Sequence, residues 1–186
     1  MIAIQSLWAG PWLVQVCGWA THESALGLFA INASMLVCFM AWGAVVPRLY
    51  QHGRTAHRLI ALALPASLLV LWVAISLGAD AVAWAWALFC TTSTFASLSQ
   101  PAVGLAFPAG LAGRALSAYN LATFAGVFGV QWAIGLMIDF LLARGWSVTA
   151  SYQGAFALFA LCCTLAYLWF RIGDDGVCVR RQRRVP

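Results

Sequence analysis

Residues 119–139 read YNLATFAGVFGVQWAIGLMID. The stretch is long and apolar enough to cross a bilayer, whose hydrocarbon core needs roughly 20 such residues in a helix. It nevertheless carries an Asn, a Thr, a Gln and an Asp, and three glycines reduce its bulk. An amide left unpaired in hydrocarbon costs free energy, so Asn120 and Gln131 are expected to face a bundle interior or a cavity. Ala122-x3-Gly126 and Ala125-x3-Gly129 place small residues on one face, where a neighbouring helix can approach closely. A helix with a packing face and inward amides predicts an all-α, polytopic membrane bundle.

Composition extends that reading to the whole chain. Of the residues, 63% are hydrophobic and only 8% charged, with a mean hydropathy of +0.88, whereas soluble domains carry charge on roughly a quarter of their residues. Apolar runs lie near 2–20, 26–48, 59–78, 81–107, 115–142 and 152–170. They predict six spans in a single membrane domain covering 1–186. The polar breaks are Thr21–Ser24, Arg48–Arg58, Gly78–Asp80, Pro108–Arg114 and Ala143–Thr149, all too short for a soluble domain. Pro101 falls inside the fourth run and predicts a kink or break there, with Pro108 marking its end.

Arginine sets the expected orientation, because positive residues in short loops are retained on the cytoplasmic side. Arg48, Arg54 and Arg58 follow the second run, Arg114 the fourth, and Arg171, Arg180, Arg181, Arg183 and Arg184 the sixth. Only Arg144 falls on the other face. Both termini are therefore expected in the cytoplasm, with an even number of spans and a basic tail over 172–186. The formal net charge of +5 is spread over one membrane face, which argues against a nucleic-acid partner and for contact with the lipid bilayer.

Catalytic chemistry finds little support. His22, His52 and His57 all fall in breaks, and no span pairs a His with an acid. No GxSxG elbow occurs, and no Cys/His spacing suggests a metal. Five of the six cysteines lie in or near apolar runs and read as small packing residues. No cofactor is expected. The remaining signal is polarity inside the spans: Gln5, Asn32, Gln100, Asn120 and Gln131 are the candidates for a substrate path. Serines and threonines such as Thr91–Thr94, Ser97 and Ser99 are expected to bond back to their own helix or to join neighbours. Asp139 reads as an interfacial carboxylate near Arg144, with a coupling role as the alternative.

FPAGLAGRALSAYNLATFAGVFGVQWAIGLMID, with QSLWAGPWL near the start, resembles the second half of a bacterial major facilitator superfamily transporter. The penultimate helix of that family reads much like GR-x4-N-x10-QW-x-IG-x3-D. The matching residues here are Arg114, Asn120 (one position off the strict count), Gln131, Trp132, Ile134, Gly135 and Asp139. A worn copy of the family's loop signature stands in Gly43-x4-Arg48-x4-Gly53-Arg54, with Pro47 where the signature usually has an acid. The resemblance implies secondary active or facilitative transport of a small solute in a bacterial inner membrane, with Gly43, Arg48, Gly53, Arg54 and Arg114 at the cytoplasmic gate. It implies that spans one, two, four and five line a cavity, with spans three and six outside. Members resemble two six-helix halves facing each other across a path. The chain supplies one such half, so a missing N-terminal half or a second copy is expected as partner. A truncated, transport-inactive membrane fragment is the alternative, and a membrane-embedded enzyme the weaker one.

Overall fold

The computed structural model describes residues 2–182, and their side chains as far as Ile172. Among the described residues every regular element is helical. The chain begins with α1 (4–16), in which π-helical turns at Ile4–Trp8 and Trp12–Val16 flank Ala9–Pro11. Then come α2 (Thr21–Gln51), α3 (Ala56–Leu77), α4 (Ala83–Thr92), α5 (Ser99–Ala106), α6 (Ala109–Ala143) and α7 (Val148–Gln182). Short 3-10 turns at Gly78–Asp80 and Thr94–Leu98 join α3 to α4 and α4 to α5. Four stretches, Thr21–Gln51, Ala56–Asp80, Ala109–Ala143 and Val148–Ile172, are long and apolar enough to cross a membrane. They mark the chain as an integral membrane protein. The first and fourth apolar runs form shorter, interrupted segments.

Local chemistry explains where the helices start and stop. Glu23 reaches back to the Ala20 N–H at 2.9 Å, and Thr55 Oγ1 accepts from Arg58 N, so α2 and α3 begin with satisfied donors. Helix α2 ends in a Schellman turn: Gly53 N donates to Tyr50 O and Arg54 N to Leu49 O, with Gly53 at φ +73°. Helix α6 closes in the same way through Gly145 at φ +84° and Trp146 N to Leu141 O.

Several boundaries differ from the hydropathy reading, and the expected break Thr21–Ser24 forms the first turn of α2. Arg48 belongs to the last turn of α2, and Arg114 lies within α6, which starts directly after Pro108. Helical hydrogen bonding continues past the hydrocarbon edge, and 35 residues at about 1.5 Å each outrun its roughly 30 Å thickness. The fourth run breaks at Ser93–Leu98, upstream of Pro101, which sits in the first turn of α5. Proline costs little there, because the N–H it lacks would have no intrahelical partner.

Side-chain pairs fix the directions of the helices. Gln5 meets Asn32, and a Cβ at Gly10 would touch Leu28, so α1 and α2 run antiparallel. Gly27 approaches Ala83, and Trp42 donates to Thr94 Oγ1 at 2.8 Å, so α2 and α4 run parallel. Ser99 bonds Tyr119, and Gly104 packs on Leu116, so α5 and α6 are antiparallel. The connections 17–20, 78–82 and 144–147 therefore gather at one end, and 52–55 and 107–108 at the other.

The main core lies at the first of these ends. Trp12, fully buried, stacks on Phe156 (centroids 5.1 Å, 15° between planes) and meets Trp86 edge-on at 5.1 Å. Its Nε1 donates to Ala81 O at 3.1 Å, and Tyr152 OH donates to Gln15 Oε1 at 2.9 Å. Gly27 is required where α2 crosses this cluster, since a Cβ there would stand 3.0 Å from Trp19 and 3.1 Å from Leu13. A smaller cluster of Ala56, Phe95 and Leu98 closes the opposite end.

Candidate functional site

A cavity of about 760 Å³ opens between α1, α2, the Thr94–Leu98 turn with α5, α6 and α7. Four of the five amides singled out from the sequence line it: Gln5 from α1, Asn32 from α2, Gln100 from α5 and Asn120 from α6. Each comes from a different element. The apolar wall includes Met35, Phe39, Phe124, Val127, Val130 and Phe159. Helix α3 contributes nothing to the lining, whereas α7 contributes Phe159 and Cys163.

The polar groups divide into those already satisfied and those available. Gln5 Nε2 donates to Asn32 Oδ1 at 2.5 Å, and Asn32 Nδ2 donates to Leu28 O at 2.7 Å. Ser97, Ser99 and Thr123 donate to Thr94 O, Ala96 O and Tyr119 O. The Thr91–Thr94 hydroxyls likewise return to carbonyls one turn back. Such bonds to the preceding turn satisfy hydroxyls that hydrocarbon could not solvate. Gln100 and Asn120 have no hydrogen-bond partner among the described residues.

Gln131 stands apart from the other amides. Its Nε2 donates to Ser6 Oγ at 2.9 Å and reaches Ala3 O at 3.5 Å, while its backbone carbonyl accepts from Trp8 Nε1 at 3.2 Å. It fastens α6 to α1 beside the cavity and is not among the lining residues. Gly135 lets the Trp8 ring lie close, 3.4 Å from where a Cβ would stand.

The remaining sequence candidates lie elsewhere. Asp139 is exposed near the end of α6, outside the cavity lining. Arg144 places its guanidinium over the Phe140 ring at 4.5 Å. Ala122, Ala125, Gly126 and Gly129 are exposed, and a Cβ at Gly126 or Gly129 would meet nothing within 4 Å, so no helix among the described residues packs on that face. Gly126 lines the cavity. Gly43, Arg48, Gly53 and Arg54 are exposed around the C-terminal part of α2, and Gly53 serves the turn that ends it. Arg114 is exposed in the second turn of α6. Arg180, Arg181, Arg183 and Arg184 of the expected tail lie outside the described side chains.

Sequence reading missed Tyr119, whose hydroxyl pairs with Ser99 at 2.5 Å and joins α5 to α6 at the cavity wall. Its spacing of one residue from Asn120 was the available signal. Among the described residues, no group of three His, Cys, Asp or Glu side chains could hold a metal ion. The comparisons with known proteins add no relative: no family model, no curated protein and no solved structure matches this chain.

Proposed function

We propose that the chain is a six-span membrane transporter bundle that carries a small solute along the amide-lined cavity, resembling the C-terminal half of a major facilitator superfamily protein. The observation that carries this reading is the convergence of Gln5, Asn32, Gln100 and Asn120, from four separate elements, on one cavity in a membrane bundle. Polar side chains at membrane depth are costly and are placed against a bundle interior or a cavity, where a solute can meet them. The short segments α1 and α4–α5, both interrupted, suit a path in which non-helical backbone is tolerated only beside a cavity. The cavity wall carries no His and no acid, which supports transport over catalysis.

The nine-to-one distribution of arginines supports a bacterial inner-membrane orientation with both termini cytoplasmic. The partner is a second six-helix half or a second copy of this chain, facing the cavity. The test is flux: purified chain is reconstituted into liposomes and the entry of radiolabelled small solutes is followed against empty liposomes. Protein-dependent entry of at least one solute, abolished by Asn120→Ala with insertion unchanged, is the expected result. Entry no faster than in empty liposomes for every solute, with or without a co-reconstituted partner half, overturns it.

A further inference from the structure

The cavity wall defines a ligand chemistry more narrowly than transport alone requires. Twenty described residues line it, and none of their side chains carries a formal charge. The hydroxyls of Ser97, Ser99 and Thr123 are committed to carbonyls, and Gln5 and Asn32 are committed to each other. Gln100 and Asn120 are left with amides unengaged among the described residues. An amide presents a donor pair and an acceptor together. The same lining includes Phe39, Phe124 and Phe159, which offer ring faces and edges and no polar atom. A charged solute entering this space would lose hydration without gaining a counter-charge from these side chains, a large penalty in a low-dielectric site. A neutral solute with a donor and an acceptor along one edge replaces its lost water bonds with the two amides.

We infer that the cavity takes an uncharged amphiphilic solute, one face aromatic or apolar and one edge both donating and accepting hydrogen bonds, with Gln100 and Asn120 reading that edge. The volume, about 760 Å³, falls within the range of small-molecule sites. The inference rests on the cavity being the solute path and adds the class of solute.

The test uses three probes of nearly equal size that differ in charge: N-acetylphenylalanine amide (neutral), N-acetylphenylalanine (anionic) and phenylalanine amide (cationic). Each is radiolabelled and its equilibrium binding to the purified full chain in lipid nanodiscs is measured. The neutral probe is expected to bind about tenfold tighter than either charged one. Gln100→Leu and Asn120→Leu should each weaken the neutral probe about tenfold and leave the charged probes unchanged. Variants are compared only where size-exclusion profile and thermal transition match the parent, and Gln100→Ala and Asn120→Ala stand in for any that fails. Equal or tighter binding of a charged probe, binding of none of the three, or neutral binding untouched in the folded variants overturns the inference. Neutral binding without flux in liposomes would overturn the transport reading and leave the ligand class standing. Flux of a charged solute would do the reverse.

Discussion

The two ends of the bundle are built on opposite principles. Where the 17–20, 78–82 and 144–147 connections gather, Trp12, Trp86, Tyr152 and Phe156 interlock with almost no exposed area. Around the cavity, Phe124 is 66% exposed and amides face empty volume. Lipid tails solvate an apolar ring as well as protein does, so burial by itself does not hold membrane helices together. What remains is close packing and hydrogen bonding, and the first end has both. The contrast shows where this chain places its closest packing: the first end joins the helices through rings and hydrogen bonds, and the region around the cavity does not.

The strongest way to break that contrast is to remove the same bulk at each end. Trp12→Ala should cost about 4 kcal/mol, because it removes stacked and edge contacts and leaves the Ala81 carbonyl with only the weak Cys17 thiol donor at 3.6 Å. Phe124→Ala should cost under about 1 kcal/mol, since its ring has few neighbours. Reversible unfolding of both variants in mixed micelles measures the difference, and equal losses would erase the distinction between the ends.

A subtler probe adds volume at the tight end. Gly27→Val should destabilise by about 2 kcal/mol, since Trp19, Ala83 and Leu13 already stand 3.0–3.1 Å from the position of its Cβ. The thermal transition reads this directly, and an unshifted midpoint would mean that the packing there is loose. Gln131→Leu should cost about 1 kcal/mol through its lost bond to Ser6. Hydrogen–deuterium exchange should then quicken in residues 2–8 while the turn at 144–147 stays protected; uniform quickening would show that α1 is not held separately.

The smallest effect is the most diagnostic for the aromatic end. Trp86 is fully buried and its Nε1 has no hydrogen-bond partner among the described residues. Trp86→Phe removes that unsatisfied donor along with some ring volume, so the two changes offset and stability should stay within about 1 kcal/mol. A loss as large as that of Trp12→Ala would reveal a bond to this nitrogen.

How much of this was legible in the residues depends on the kind of signal. Long apolar runs announce helices, and α2, α3, α6 and α7 follow the second, third, fifth and sixth of them. The first run gave no warning that α1 would widen into π turns and end at Gly18, because hydropathy carries no information on helical pitch. The break in the fourth run was expected at Pro101, the residue with the loudest local effect. It occurs instead beside a run of hydroxyls that can each take a carbonyl, and Pro101 falls where proline is harmless. Gln5, Asn32, Gln100 and Asn120 stood out because polarity is rare and expensive in lipid. The aromatic wall did not, because Phe and Trp recur throughout the chain and nothing local separates a cavity lining from a packing face. Gln131 looked the same as the cavity amides in sequence, and only the proximity of Ser6 distinguishes it.

The bare backbone at Gly126 has a practical consequence. It borders the cavity, and a Cβ placed there meets nothing within 4 Å. Alanine, valine, leucine and phenylalanine at that position form a graded series of increasing side-chain volume at the cavity wall. The substitution at which binding of the proposed neutral solute ceases would measure how much of the cavity that solute needs.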